Sequence, residues 1–153
     1  MMVITAKVKK RNILIALVAI AAILAVLFWP GSKDSGQETA EIICKAETND
    51  ERIAFLRQFG WDVADAAVET QEVRIPTEPN EVFTRYNELQ KQQNFDLEQY
   101  AGKVVKRYVY DVLNHPDGEN YRATLFVYRG KVIGGDVSCT EQNGKMHGFA
   151  KPA

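Results

Sequence analysis

An unbroken apolar run from Ile13 to Trp29, seventeen residues without a charged or strongly polar side chain, follows directly on Lys7, Lys9, Lys10 and Arg11. As a helix it would extend about 25 Å, a little less than the roughly 30 Å hydrocarbon core of a bilayer. Trp29 at one interface, with Asn12 and Arg11 snorkelling at the other, makes up the shortfall. The cation cluster on the N-terminal flank places the N-terminus in the cytoplasm by the positive-inside rule, and everything after Pro30 outside. The expected organisation is a basic cytoplasmic segment over 1–12, a transmembrane helix over 13–29, a linker over 30–40 and an extracytoplasmic domain over 41–153. The expected location is the cell membrane, crossed once.

A cleaved secretory signal is the competing reading. Such signals carry an apolar stretch of 7–15 residues and a small-residue cleavage site. This run is longer and ends in Phe28-Trp29-Pro30, while Ala19 and Ala21 lie in its middle. An uncleaved anchor fits better. The linker, Gly31-Ser32-Lys33-Asp34-Ser35-Gly36 and onward, is small and polar. All 20 acids lie at or after Asp34, against 15 of the 19 Lys and Arg, so the outer part is mildly acidic. Nothing in that balance suits nucleic acid.

Two cysteines, Cys44 and Cys139, lie on the outer side. In an oxidising compartment an even pair invites a disulfide, here closing a loop of roughly a hundred residues for up to about 4.7 kcal/mol in the chain-entropy model. Two separate buried thiols acting as small hydrophobes are the alternative. The reading expects the disulfide.

Local patterns then divide the outer domain. Glu41–Lys45 could start the fold as a strand. Thr48-Asn49-Asp50-Glu51 has the form of a capping box, with Ile53, Leu56 and Phe59 at helical spacing and Gly60 as terminator, so a helix is predicted over about 50–59. Glu72–Ile75 reads as a strand stopped by Pro76. Pro79-Asn80 opens a second helix with Val82, Phe83, Tyr86, Leu89 and Gln90 on one side. After Gly102 the period falls to two. Lys103–Leu113, Tyr121–Tyr128 and Lys131–Cys139 read as three strands of a meander, with Gly134-Gly135 as a bulge or a close approach. The expected class is α+β, in the order β-α-β-α-β-β-β, with both helices covering the apolar face of an antiparallel sheet.

Several short stretches carry a family resemblance: Phe55–Trp61, Tyr86–Gln90, Phe95-Asp96-Leu97, Tyr100–Lys103, Arg107–Tyr110, Gly130–Asp136 and Gly148-Phe149. Over about 48–150 the chain resembles a family of unknown function found in short membrane-anchored proteins of Gram-positive bacteria, mainly Clostridia. Asn94 departs from the pattern, where Gly is expected, but both residues tolerate the left-handed backbone that follows a helix. The resemblance implies an anchored extracytoplasmic domain and brings no activity with it.

Candidate chemistry concentrates at Gly134, Gly135 and Asp136, where glycines could admit a ligand to the backbone and the carboxylate could receive it. The competing reading is architectural: a bend in a strand, with Asp136 pairing locally, and this one is favoured. Trp61 reads as core, and becomes a binding anchor only if exposed. Tyr108 and Tyr110 could line a groove for peptide or glycan. His115 reads as an exposed turn residue. His147 lacks the partners of a zinc motif, so no metal and no cofactor are expected. The leading expectation is a non-enzymatic module that binds an envelope protein or cell-wall ligand. A small cell-wall or peptide hydrolase using Asp136 with His147 or Cys139 is the alternative, and a purely structural or regulatory partner a third.

Overall fold

The computed structural model describes residues 41–152. Among them no helix is long and apolar enough to cross a membrane, and the apolar run 13–29 lies outside them. Elements follow in the order α1 (Asn49–Arg57), β1 (Glu69–Arg74), α2 (Glu81–Gln92), a 3-10 turn (Leu97–Tyr100), β2 (Val104–Asp111), β3 (Tyr121–Tyr128), β4 (Lys131–Cys139) and β5 (Met146–His147). The five strands lie side by side in chain order, antiparallel throughout.

Local signals account for most of these boundaries. Thr48 closes the capping box onto Glu51, so two backbone donors that the first turn leaves orphaned are satisfied. Gly60 at φ +81° ends α1 in the left-handed region, and the Trp61 amide folds back onto the Leu56 carbonyl. Asn80 caps α2 by accepting from the Phe83 amide at 2.8 Å. Asn94 adopts φ +64° after that helix, the conformation anticipated for the position. Arg129 and Gly130, both at positive φ, make the two-residue turn that joins β3 to β4.

The two helices lie against opposite faces of the sheet, not together on one. Alternate residues of β3 separate them. Tyr121, Ala123, Leu125 and Val127 join the core that holds Ile53, Phe55, Leu56, Trp61 and Phe149. Phe126 and Tyr128 join a smaller cluster with Phe83, Tyr86, Leu97 and Tyr100. Successive strand side chains point to opposite faces, so α1 covers one face while α2 and the 3-10 turn cover the other. The expectation failed because both residue sets of β2 and β3 are apolar enough to need a cover, and a sheet with two such faces takes a layer on each.

The strand expected at Glu41–Lys45 is reduced to a single bridge, Lys45 with Lys131, beside a bond from the Val132 amide to the Cys44 carbonyl. That contact also excludes the expected disulfide, and both cysteines are free thiols. Cys44 sits at the start of β4 and Cys139 at its end, roughly 23 Å of extended strand apart, whereas a disulfide needs Cα atoms within about 7 Å.

Candidate functional site

The segment Val132–Asp136 is where sequence and fold are most tightly bound together. The pairing of β3 with β4 slips between Phe126 and Val127, leaving Ile133 as an extra residue, so the bulge falls one position before the two glycines. Close approach then explains both glycines. A Cβ on Gly134 would lie 2.8 Å from Gln90 Oε1 and 3.1 Å from a Leu97 methyl. Gly135 has φ +157°, and a Cβ there would lie 2.0 Å from the Thr124 carbonyl oxygen and 2.5 Å from the Phe149 ring.

The outer edge of β4 has no full partner strand at this point. Glutamines from α2 and from the position that caps its C-terminus take that role. The Gly135 amide donates to Gln90 Oε1 at 2.8 Å, and Gln93 Nε2 donates to the Gly135 carbonyl at 3.1 Å. Gln93 Oε1 in turn accepts from the Phe149 amide at 2.6 Å. Either side of this point, Cys44–Ala46 and β5 pair with the same edge through backbone bonds. Buried backbone groups are thereby satisfied by side chains where no strand reaches them.

Asp136 follows, buried on the α2 face. Its Oδ1 accepts from the Tyr86 hydroxyl at 2.6 Å, while its Oδ2 has no hydrogen-bond partner. Burial pushes the carboxyl above its ordinary range, against the pull of the Tyr86 bond. The Ser138 hydroxyl and the Arg107 guanidinium pull the same way from nearby, yet neither closes a bond onto Oδ2. The Tyr86 phenol is pushed up in its turn, first by burial and then by the Asp136 charge. Arg107 forms an ion pair with Glu69, but its Nε is buried without a partner, as is Gln90 Nε2. Three buried polar atoms without partners therefore lie on α2 and on the strands beneath it, each costing stability.

A cleft of about 250 Å³ opens in the same layer, lined by Val73, Ile75, Phe83, Tyr86, Arg107 and Phe126 among others. Its walls are largely apolar, and Arg107 supplies cationic character.

The other expected site residues lie on the α1 face. Trp61 is fully buried and donates from Nε1 to the Phe149 carbonyl at 2.6 Å. Tyr110 is also fully buried; its hydroxyl accepts from Arg52 Nε at 2.8 Å and donates to Asn49 Oδ1 at 2.9 Å. Tyr108 is half-buried beneath the Arg52 guanidinium, 3.8 Å from the ring centre. Trp61 and Tyr110 thus present no open aromatic surface, whereas Tyr108 lines a cavity of about 360 Å³ with Ala46 and Val127. Asp136, His147 and Cys139 are not gathered in one cleft. Asp136 bonds to Tyr86 on the α2 face, while His147 pairs with His115 and packs beside Trp61.

His115 corrects its reading as an exposed turn residue. It is buried, stacked on Tyr121 with ring centres 3.4 Å apart and parallel to Trp61 at 5.4 Å. Gln93 and Arg107 also escaped sequence reasoning. Gln90 had a signal, since an amide on the apolar stripe of a helix must find a buried partner.

Fold and site together define an α+β domain with a five-stranded antiparallel meander, helices on both faces and one edge closed by glutamine side chains. Within that class, the chain belongs to the family described as Domain of unknown function (DUF4830), which matches residues 55–137, from within α1 to within β4. No curated protein matches the chain, and no solved structure does either.

Proposed function

We propose that this chain is a membrane-anchored, extracytoplasmic binding module, held by residues 13–29, that receives a peptide segment of an envelope protein in the cleft beneath α2. The basic cluster Lys7–Arg11 ahead of the apolar run supports the anchor and its orientation. The cleft supports the ligand class, and one observation carries it: apolar walls from Phe83, Phe126 and Ile75 stand beside Arg107, whose Nε is buried without a partner. An apolar side chain next to a carboxylate answers both features, filling the walls and sharing the Arg107 guanidinium with Glu69.

Two experiments test the reading. A reporter fused after Ala153 should be active only on the outer side of the membrane; cytoplasmic activity refutes the anchor's orientation. Short peptides with one aromatic or branched side chain beside an acidic residue, titrated against the purified full chain, should bind. Arg107→Gln should weaken that binding at least tenfold. Unchanged affinity in a folded Arg107→Gln variant removes the cleft as the site.

A further inference from the structure

The two histidines of the chain, 32 residues apart in sequence, meet Nε2 to Nε2 at 3.1 Å. Their other nitrogens fix which ring carries which proton. His115 Nδ1 faces the Asp117 backbone N–H at 3.1 Å, so it accepts, and the His115 proton is on Nε2. His147 Nδ1 faces the Gly148 carbonyl at 2.6 Å, so it donates, and His147 Nε2 is a free acceptor. The contact between the rings is therefore a hydrogen bond from His115 Nε2–H to His147 Nε2, with both rings neutral.

Every nitrogen of the pair is then in use. An added proton has two places to go. On His147 Nε2 it meets the His115 N–H; on His115 Nδ1 it meets the Asp117 N–H. Either way a hydrogen bond is replaced by two opposed donors. We infer that His115 and His147 form an acid-opened clasp, joining the connection between β2 and β3 to the C-terminal strand β5. Opening it would free β5 from the edge of β4, where Cys139 donates to the Lys145 carbonyl and Val137 pairs with His147.

The surroundings point the same way. Tyr121 and Trp61 stack against His115 and offer it no charge, and the Lys151 ammonium lies 5.0 Å from the Trp61 ring centre. Burial first, then His147 and Lys151, hold the His115 imidazole below its ordinary value, opposed by Asp117 alone. His147 acts electrostatically on Asp136, and Cys139 and Glu141 act on Tyr121. Since the folded value is depressed, the clasp is fully stable above the unfolded histidine range near 6.5 and weakens as pH falls below it, by up to tenfold per pH unit for each excluded proton. The same tautomers argue against a divalent metal here, because coordination by both Nε2 atoms would place an Nδ1 proton of His115 against the Asp117 N–H.

The test uses the ¹⁵N-labelled full chain in detergent micelles. Imidazole ¹⁵N spectra at pH 7.5 should show His115 protonated at Nε2 and His147 at Nδ1. Between pH 7 and pH 5.5, hydrogen-exchange protection of the Cys139 amide should drop several-fold, up to about eightfold, beyond the intrinsic change, while the Leu125 amide stays protected. His115→Phe keeps the stack without titrating and should abolish that pH dependence. Should this variant fail to fold, the wild-type spectra still decide. Reversed tautomers, ordinary titration of both rings with β5 protection unchanged, or Zn²⁺ held by both rings at pH 7.5 would each overturn the clasp.

Discussion

The two faces of the sheet are built by different rules. The α1 face is apolar and aromatic. Phe55, Phe59 and Phe149 meet edge to face or tilted at 5.0–5.4 Å, and the polar groups buried with them are matched. Arg52 is the clearest case. It is buried without a carboxylate, yet it donates to Tyr110 and to the Ala46 and Glu47 carbonyls, and covers the Tyr108 ring. The α2 face has a smaller apolar cluster, a cleft, and uncompensated atoms on Gln90, Arg107 and Asp136. Among the described residues, the buried polar atoms left without partners thus all lie on the α2 face, and those of the α1 face are satisfied within the protein.

The largest expected effect lies where the faces share a strand. Gly135→Val forces a Cβ into the Thr124 carbonyl and the Phe149 ring at a φ that valine rarely adopts. A loss of about 5 kcal/mol, or failure to fold, is expected. Urea denaturation measures it, and a loss under about 2 kcal/mol would mean that β4 can relax away from β3.

Neighbouring residues of β3 give the comparison its sharpest test. Leu125 is fully buried on the α1 face, whereas Phe126, the larger side chain, is half-buried at the cleft. Leu125→Ala should cost about 3–4 kcal/mol. Phe126→Ala should cost only about 1–2 kcal/mol, because part of its ring already meets water. An inverted order would show that the α2 face is the better packed one.

How far the sequence reaches follows the same division. Capping residues, turn formers and strand alternation act over a few positions, so α1, α2 and the meander were readable at Thr48, Gly60, Asn80 and Gly130. What depends on contacts between distant segments was not. Nothing near Gln90 says that its amide meets Gly135, and nothing near His115 says that it meets His147. Gly134 and Gly135 show the boundary well. Two glycines in a strand announce a close approach, but only the fold reveals that Phe149, Thr124, Gln90 and Leu97 are what approach. The cysteines misled for a related reason: compartment and parity bear on whether thiols oxidise, while the length of β4 decides whether they meet.

A smaller effect, and one with a sign, comes from Asp136. Burial raises its folded carboxyl above the unfolded value near 3.9. The folded state thus holds the proton more tightly than the unfolded chain does. Stability contributed by this group is present below about pH 4 and is lost as pH rises through the folded value. Asp136→Asn does not titrate and keeps an oxygen for the Tyr86 hydroxyl. Its stability relative to wild type should therefore climb with pH above 4, by at most about 1.4 kcal/mol per pH unit, and then level off. Urea titrations of both proteins from pH 4 to pH 8 read the difference directly. A flat difference would show that Oδ2 is compensated after all, and would remove one of the three unmet atoms from the α2 face.

The smallest effect tests the α1 face at its two ends. Cys44 and Cys139 both pack at its margin as half-buried thiols, one at each end of β4. Burial pushes the Cys44 thiol above its ordinary value, so it is a poor nucleophile at neutral pH. Labelling the denatured, unreduced chain should therefore find two free thiols. Adding a reductant should leave the urea midpoint unchanged, and Cys139→Ser should cost no more than about 1 kcal/mol. A bridge would behave otherwise, since losing a native disulfide typically costs about 2–5 kcal/mol. A reductant-sensitive midpoint with no labelled thiol would require the two ends of β4 to come together, and the α1 face as described could not survive that.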